Sequence, residues 1–317
     1  MKTIRIIFTV FLAVVLLAGP ALAADQRIQS TEEMVGAGHG TKADTLNRLT
    51  LVEHDSDGTH NATAVATLKA LGIRSLPTGH LSGLALSNGT DTDHDVDVAV
   101  GKVRDEADAI DISVAAMTKQ FDAVWAAGSA AGGMLTGNSL PTSGTIHVFA
   151  TKVDASGLGD VFACDNATAG ITPIPPAGCT GRRHIGSYRT DGSDNILDGD
   201  WYGTGRRREI VLDTAIRDVA SATPGTSAVT AALSTPGGVV VKANVNVAVV
   251  ANVAVYLSSL ASADMVPSET VAPLCNSYDR VGGQGFSVYT NTSSQIRHRS
   301  DSNVAIYIAT LGWVQDF

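Results

Sequence analysis

Between Val239 and Leu257 every odd-numbered position is apolar, while the even positions include Lys242, Asn244, Asn246, Asn252 and Tyr256. A period of two marks a strand with one face buried. Residues 239–257 drawn as one strand would run about 60 Å at roughly 3.3 Å per residue, several times the usual length. The pattern therefore predicts a bend or tight turn that divides it. The same texture returns in Phe286–Tyr289 and Val304–Ile308, and further strands are expected at Asp95–Val100, Ile146–Ala150, His184–Thr190, Ile196–Tyr202 and Arg207–Asp213. Turn formers separate them: Asn88-Gly89, Gly101, Gly144, Asp191-Gly192 and Gly203-Thr204-Gly205. One stretch breaks the rhythm. Val114, Met117, Phe121, Val124 and Trp125 recur at spacings of three and four and stop before Gly128, which predicts one amphipathic helix with a glycine C-terminal stop.

The start of the chain has a different character. Lys2 and Arg5 precede Ile6–Ala18, apolar except for Thr9, and Gly19-Pro20 and Ala21-Leu22-Ala23 follow. That is the layout of a secretory signal at 1–23. An apolar run of this size reaches only about 20 Å as a helix, short of a ~30 Å hydrocarbon core. Residues 24–80 are polar and glycine-broken. Two short helical stripes, Leu46/Leu49 and Leu68/Leu71, are too small to fold alone, so the segment is expected to be an extended, partly helical stalk packed on copies of itself. A β-rich body follows at 81–317, divisible at about 225 into two subdomains. The fold class expected is mainly β: an antiparallel, jelly-roll-like β-sandwich with one amphipathic helix and the stalk.

Composition removes some functions. With 22 Lys and Arg against 31 Asp and Glu, the net charge is -9, which argues against a phosphate-neutralising surface and so against nucleic acid. An oxidising destination bears on the three cysteines. Cys164 and Cys179 flank a loop rich in turn formers that a disulfide would staple, leaving Cys275 as a buried free thiol.

Motifs of catalysis are missing: no Gly-x-Ser-x-Gly, no His-Glu-x-x-His, no phosphate loop and no dinucleotide fingerprint. No cofactor is implied. The run His54-Asp55-Ser56-Asp57-Gly58-Thr59-His60 holds enough ligand types for a transition metal, with His54 and His60 the candidates, although a solvated turn is the simpler reading. Asp91–Asp97 spaces carboxylates as calcium loops do. Val96 and Lys102, however, stand where such a loop needs its Gly and its bidentate Glu, so a polar strand face is favoured.

Several segments are similar to one group of proteins. Gly38–Leu49, His54–His60, Leu81–Asn88 and Asp97–Gly101, then Arg182–Ser187, Thr290–Arg299 and Thr310–Trp313, resemble tail-fibre and virion structural proteins of tailed bacteriophages and prophages. The resemblance implies a non-enzymatic, usually trimeric fibre or appendage protein whose C-terminal β-domain meets the host surface, with the N-terminal segment contacting other tail or appendage proteins. The function expected is adhesion to a cell-surface glycan. Trp201, Tyr202 and Trp313 are candidates for stacking on sugar rings, or else core aromatics. An exported bacterial adhesin or lectin-like module is the alternative, and a glycan hydrolase the third reading. The location expected is extracellular or periplasmic, or the virion if phage-encoded.

Overall fold

A computed structural model describes residues 76–203, 205–250, 253–264 and 284–317. The expected signal at 1–23, the expected stalk up to residue 75, and His54, His60 and Cys275 lie outside these residues. The described part is mainly β, and no helix occurs among the described residues.

The first sheet holds β1 (Leu81–Gly83), β2 (Leu86–Asn88), β3 (Asp95–Val98), β4 (Gly101–Arg104), β5 (Asp111–Val114), β6 (Met117–Val124), β7 (Ala131–Met134), β8 (Thr145–Val153), β9 (Gly159–Asp165) and β10 (Cys179–Arg189). Its order is β1-β4-β5-β9-β7-β6-β3-β2, with β8 also on β9 and β10 on β8. The second sheet has β11 (Gly199–Tyr202), β12 (Arg207–Ala222), β18 (Ile306–Asp316), β14 (Lys242–Val249) and β16 (Gln284–Tyr289) side by side. The third has β13 (Val229–Ala232), β17 (Gln295–Ser300) and β15 (Val255–Ser259). Pairing is antiparallel except for β5 with β9, β6 with β7 and β7 with β9.

The long alternating stretch behaves as its pattern requires. Val241 just before β14, and Ala243, Val245, Val247 and Val249 along it, are buried, and Val253, Val255 and Leu257 are buried beyond it. The division falls between β14 and β15, which belong to different sheets.

The amphipathic helix expected over 114–125 is not formed. Val114 ends β5, and Met117–Val124 is β6. The spacing of three and four was misleading because the interior positions are Ile112, Val114, Lys119 and Phe121, two pairs in strand alternation, while Val124 is exposed. Lys119, polar in any hydropathy reading, occupies a core position. Gly128, expected as the stop of that helix, lies at φ +103 in the turn between β6 and β7.

Among the described residues two large apolar clusters fill the body, and a small third one gathers Phe149, Phe162 and Cys164. In the first, Val96, Ile112, Phe121, Ile146, Val161 and Tyr188 of the first sheet join Ile210, Leu212 and Trp313 of the second, with Val241 just before β14. In the second, Val245, Val247 and Ile308 of the second sheet join Val255, Leu257 and Ile296 of the third. The second sheet thus serves both cores along its length.

Candidate functional site

A cleft of about 500 Å³ opens where the end of β10 meets β12. Its rim is the turn after β10, Asp191-Gly192-Ser193-Asp194-Asn195. The Asp191 carboxylate accepts the backbone N–H groups of Ser193 (2.7 Å) and Asn195 (2.9 Å), and the Asn195 side-chain amide (3.3 Å). Such Asx hydrogen bonds make a polar pentapeptide a fixed turn. The Ser143 N–H donates to the Asp191 carbonyl at 2.6 Å and the Thr142 hydroxyl to Asp194 at 2.5 Å, which tie the rim to a neighbouring loop.

The opposite wall is an irregularity in β12. Val211 stands opposite Gly312 and Ile216 opposite Thr310, so residues 212–215 face only Leu311. A bulge re-aims side chains out of the ladder: Leu212 stays buried while Asp213 and Thr214 turn to solvent beside the cleft. Gly312 makes the approach possible, since a Cβ there would meet the Ile210 carbonyl oxygen at 2.0 Å with φ at +152.

Arg189 supplies the cation. Its guanidinium is half-buried, Nη1 donates to the Thr145 hydroxyl at 3.2 Å, and buried Nε has no hydrogen-bond partner. Burial lowers its pKa from the ordinary value, against the nearby Asp218. Asp218 is itself engaged, accepting the hydroxyls of Ser234 (2.6 Å) and Thr310 (2.5 Å). Asp198 and Asp213 are exposed along the same walls. The cleft therefore offers donors and acceptors at short spacing, as a polyhydroxyl ligand requires. The Ser193 amide, foremost, and the Asn195 groups hold the Asp191 carboxyl below the usual carboxylate range, which suits an acceptor and disfavours a general acid.

The residues singled out in the sequence do not gather here. Trp313 is fully buried in the first core and has no face for a sugar, which corrects its candidacy. Trp201 packs partly buried against that core, edge-on to Tyr188 at 5.2 Å. Tyr202 is exposed, with its hydroxyl 3.4 Å from Asp200, and does not line the cleft. The Asp91–Asp97 carboxylates divide between a turn and β3. Asp91 is taken up by the Asp93 N–H and His94 Nδ1, and the hydrogen bond to Asp91 raises the His94 pKa. No group of three or more His, Cys, Asp or Glu side chains is placed to hold a metal among the described residues.

The expected disulfide is also corrected: Cys164 and Cys179 are free thiols. Cys164 pairs with His147 across β8 and Cys179 with Val153 on its other side. Six residues at roughly 3.3 Å put the two about 20 Å apart along the strand, whereas a disulfide tolerates at most about 7 Å between Cα atoms. The intervening loop is held without a bridge: Cys164 Sγ donates to the Gly170 carbonyl at 3.2 Å, Arg182 donates to the Pro173 carbonyl at 2.8 Å, and Ala169 and Ile171 pack on the stacked Phe149 and Phe162. Burial pushes the Cys164 thiol up to about 12.

Sequence reasoning missed Arg189 and the bulge. The Asp191–Asn195 run read only as a separator between strands, and a bulge leaves no trace in an alternating pattern that stops at Asp213. No protein-family model matches the chain, and neither does any curated protein or solved structure.

Proposed function

We propose that this chain is an exported, phage tail-fibre-like structural and adhesion protein whose β-sandwich body binds a cell-surface carbohydrate in the Arg189 cleft without cleaving it. The observation that carries the reading is the cleft itself: an incompletely bonded guanidinium, a rigid Asx turn and a strand bulge, all on stable sheets. Recognition groups on a rigid scaffold bind at low ordering cost. The two-sheet packing of the first core supports the sandwich form, which in this reading is jelly-roll-like. Assembly as a homotrimer through the N-terminal segment would give several weak sites the avidity that attachment needs. The apolar leader at Ile6–Ala18 favours a second reading, an exported bacterial adhesin or lectin-like module using the same cleft.

The test is incubation of the purified protein with host-envelope polysaccharide. Retention of polysaccharide on the protein with no new reducing ends supports adhesion. Release of reducing ends, abolished by one Asp or Glu substitution, makes the protein a hydrolase.

A further inference from the structure

Five polar side chains meet where the end of β18 crosses the first sheet: His147 on β8, Asn166 just past β9, His184 and Ser187 on β10, and Gln315 on β18. His147, Ser187 and Gln315 are buried, while Asn166 and His184 are half-buried at the margin. The Ser187 hydroxyl is the hub, with His147 Nδ1 at 2.8 Å, His184 Nε2 at 3.0 Å and Gln315 Nε2 at 3.1 Å. His147 Nε2 lies 3.0 Å from Asn166 Oδ1, and His184 Nε2 is also 2.8 Å from the Gly186 carbonyl.

One proton arrangement satisfies all of these contacts. Asn166 Oδ1 and the Gly186 carbonyl only accept, so His147 and His184 each carry a proton on Nε2. His147 Nδ1 then accepts the Ser187 O–H, and the Ser187 oxygen accepts from Gln315 and shares the single His184 Nε2–H with the Gly186 carbonyl in a three-centre bond. Both imidazoles are neutral in this state. We propose that the cluster is an acid-sensitive latch, which docks residues 312–316 on the first sheet when neutral and loosens them when a histidine takes up a proton.

Protonation at His147 Nδ1 removes the acceptor of the Ser187 hydroxyl and turns a third donor toward one oxygen. The charged groups around the cluster divide unequally. Asp165, on β9, favours the His147 imidazolium, while Arg183 on β10 and Arg208 on β12 oppose that of His184, and the two rings oppose each other at 5.3 Å. Burial, the largest effect on both, lowers their pKa values. The aromatic rings of Phe149 and Phe317, 5.0 and 5.2 Å from His184, offer no acceptor for a second N–H in the ring plane. Gly238 closes the other side at φ +79, where a Cβ would meet Asn166 Oδ1 at 2.1 Å, so the network has little room to rearrange. Opening restores ordinary histidines, with a pKa of about 6.5. If both take up protons, the open fraction grows by as much as about a hundredfold per pH unit below that value.

Hydrogen–deuterium exchange on the full mature chain, with intrinsic rates corrected for pH, tests this at pH 7.5 and 5.0. Peptides covering 312–316 should exchange at least about tenfold faster at pH 5.0, with a red shift of tryptophan emission, while 245–249, which pairs with 306–310 of β18, stays protected. The His147→Gln/His184→Phe double variant should lose the difference. Equal acceleration in both regions, or an unchanged response in the double variant, overturns the latch. Should that variant fail to fold, histidine C2–H exchange on the wild type decides. Midpoints for His147 and His184 well below 6.5 support the proposal, and midpoints at or above 6.5 refute it.

Discussion

Around Val245, Val255 and Ile308 the interior is aliphatic and follows the odd–even rhythm of its strands, with His298 and Arg299 the charged types that intrude. Around Phe121 and Ile146 the interior encloses ionic groups as well. Lys119 and Asp160 form an ion pair at 3.1 Å with both side chains buried. Lys119 also donates to the carbonyls of Ala126 (2.6 Å) and Gly128 (3.0 Å), and Asp160 accepts the Gly128 N–H at 2.7 Å. Arg208, in the same region, donates to the carbonyls of Gly83, Leu84 and Ile185 and stacks beside Phe317. The second core is thus specified by register, because a slip of one residue would turn every valine to solvent. The first core cannot be specified that way. β8 is buried over most of its length and β9 over all of it, on both faces, so the hydrogen bonds of Lys119, Asp160 and Arg208 help fix how its strands and turns fit together.

The largest effect expected from this contrast is at the buried pair. Lys119→Ala should cost about 3–5 kcal/mol in denaturant unfolding, because it strands Asp160 in the interior, while Lys119→Met/Asp160→Leu should recover much of that loss. A double variant no more stable than the single one would show that the turn contacts, not the pairing, matter. Acidification comes next. Burial lowers the pKa values of His147, His184 and His298, so stability is full above about pH 6.5 and falls as pH drops below it, by at most about 1.4 kcal/mol per histidine per pH unit. Thermal melts from pH 7.5 to 5.0 check this, and a flat profile contradicts it. In the second core Ile308→Val should cost only about 0.5–1.5 kcal/mol, since one methyl leaves a small gap among valines. The smallest effect is chemical: at pH 8 the buried Cys164 should resist alkylation in the native protein and react fully in denaturant, where its thiol regains an ordinary pKa.

Legibility of the sequence follows the same division. Strands in the second core were readable because one face is buried and the other is wet, and the length of 239–257 showed that it must be divided but not where. In the first sheet the middle of β8 is readable as a strand from Ile146–Ala150 and its bounding Gly144, yet β5 and β6 read as a helix because a lysine holds one of the inward positions. The disulfide expectation rested on loop composition, and loop composition says nothing of where β8 places the two ends. The cleft was nearly invisible. Arg189 looks like any strand arginine until Thr145 and the unbonded Nε locate it, and the bulge at 212–215 exists only relative to β18.

The central claim, that the Arg189 cleft binds carbohydrate without turning it over, is tested most directly by calorimetric titration of the purified protein with envelope oligosaccharides, alongside Arg189→Ala and the exposed Asp213→Ala. Measurable heat for the wild type, loss of at least about tenfold in affinity in either variant with unchanged melting temperature, and no reducing ends after incubation are expected. Equal affinity in all three proteins, or binding by none, would contradict the assignment of the cleft.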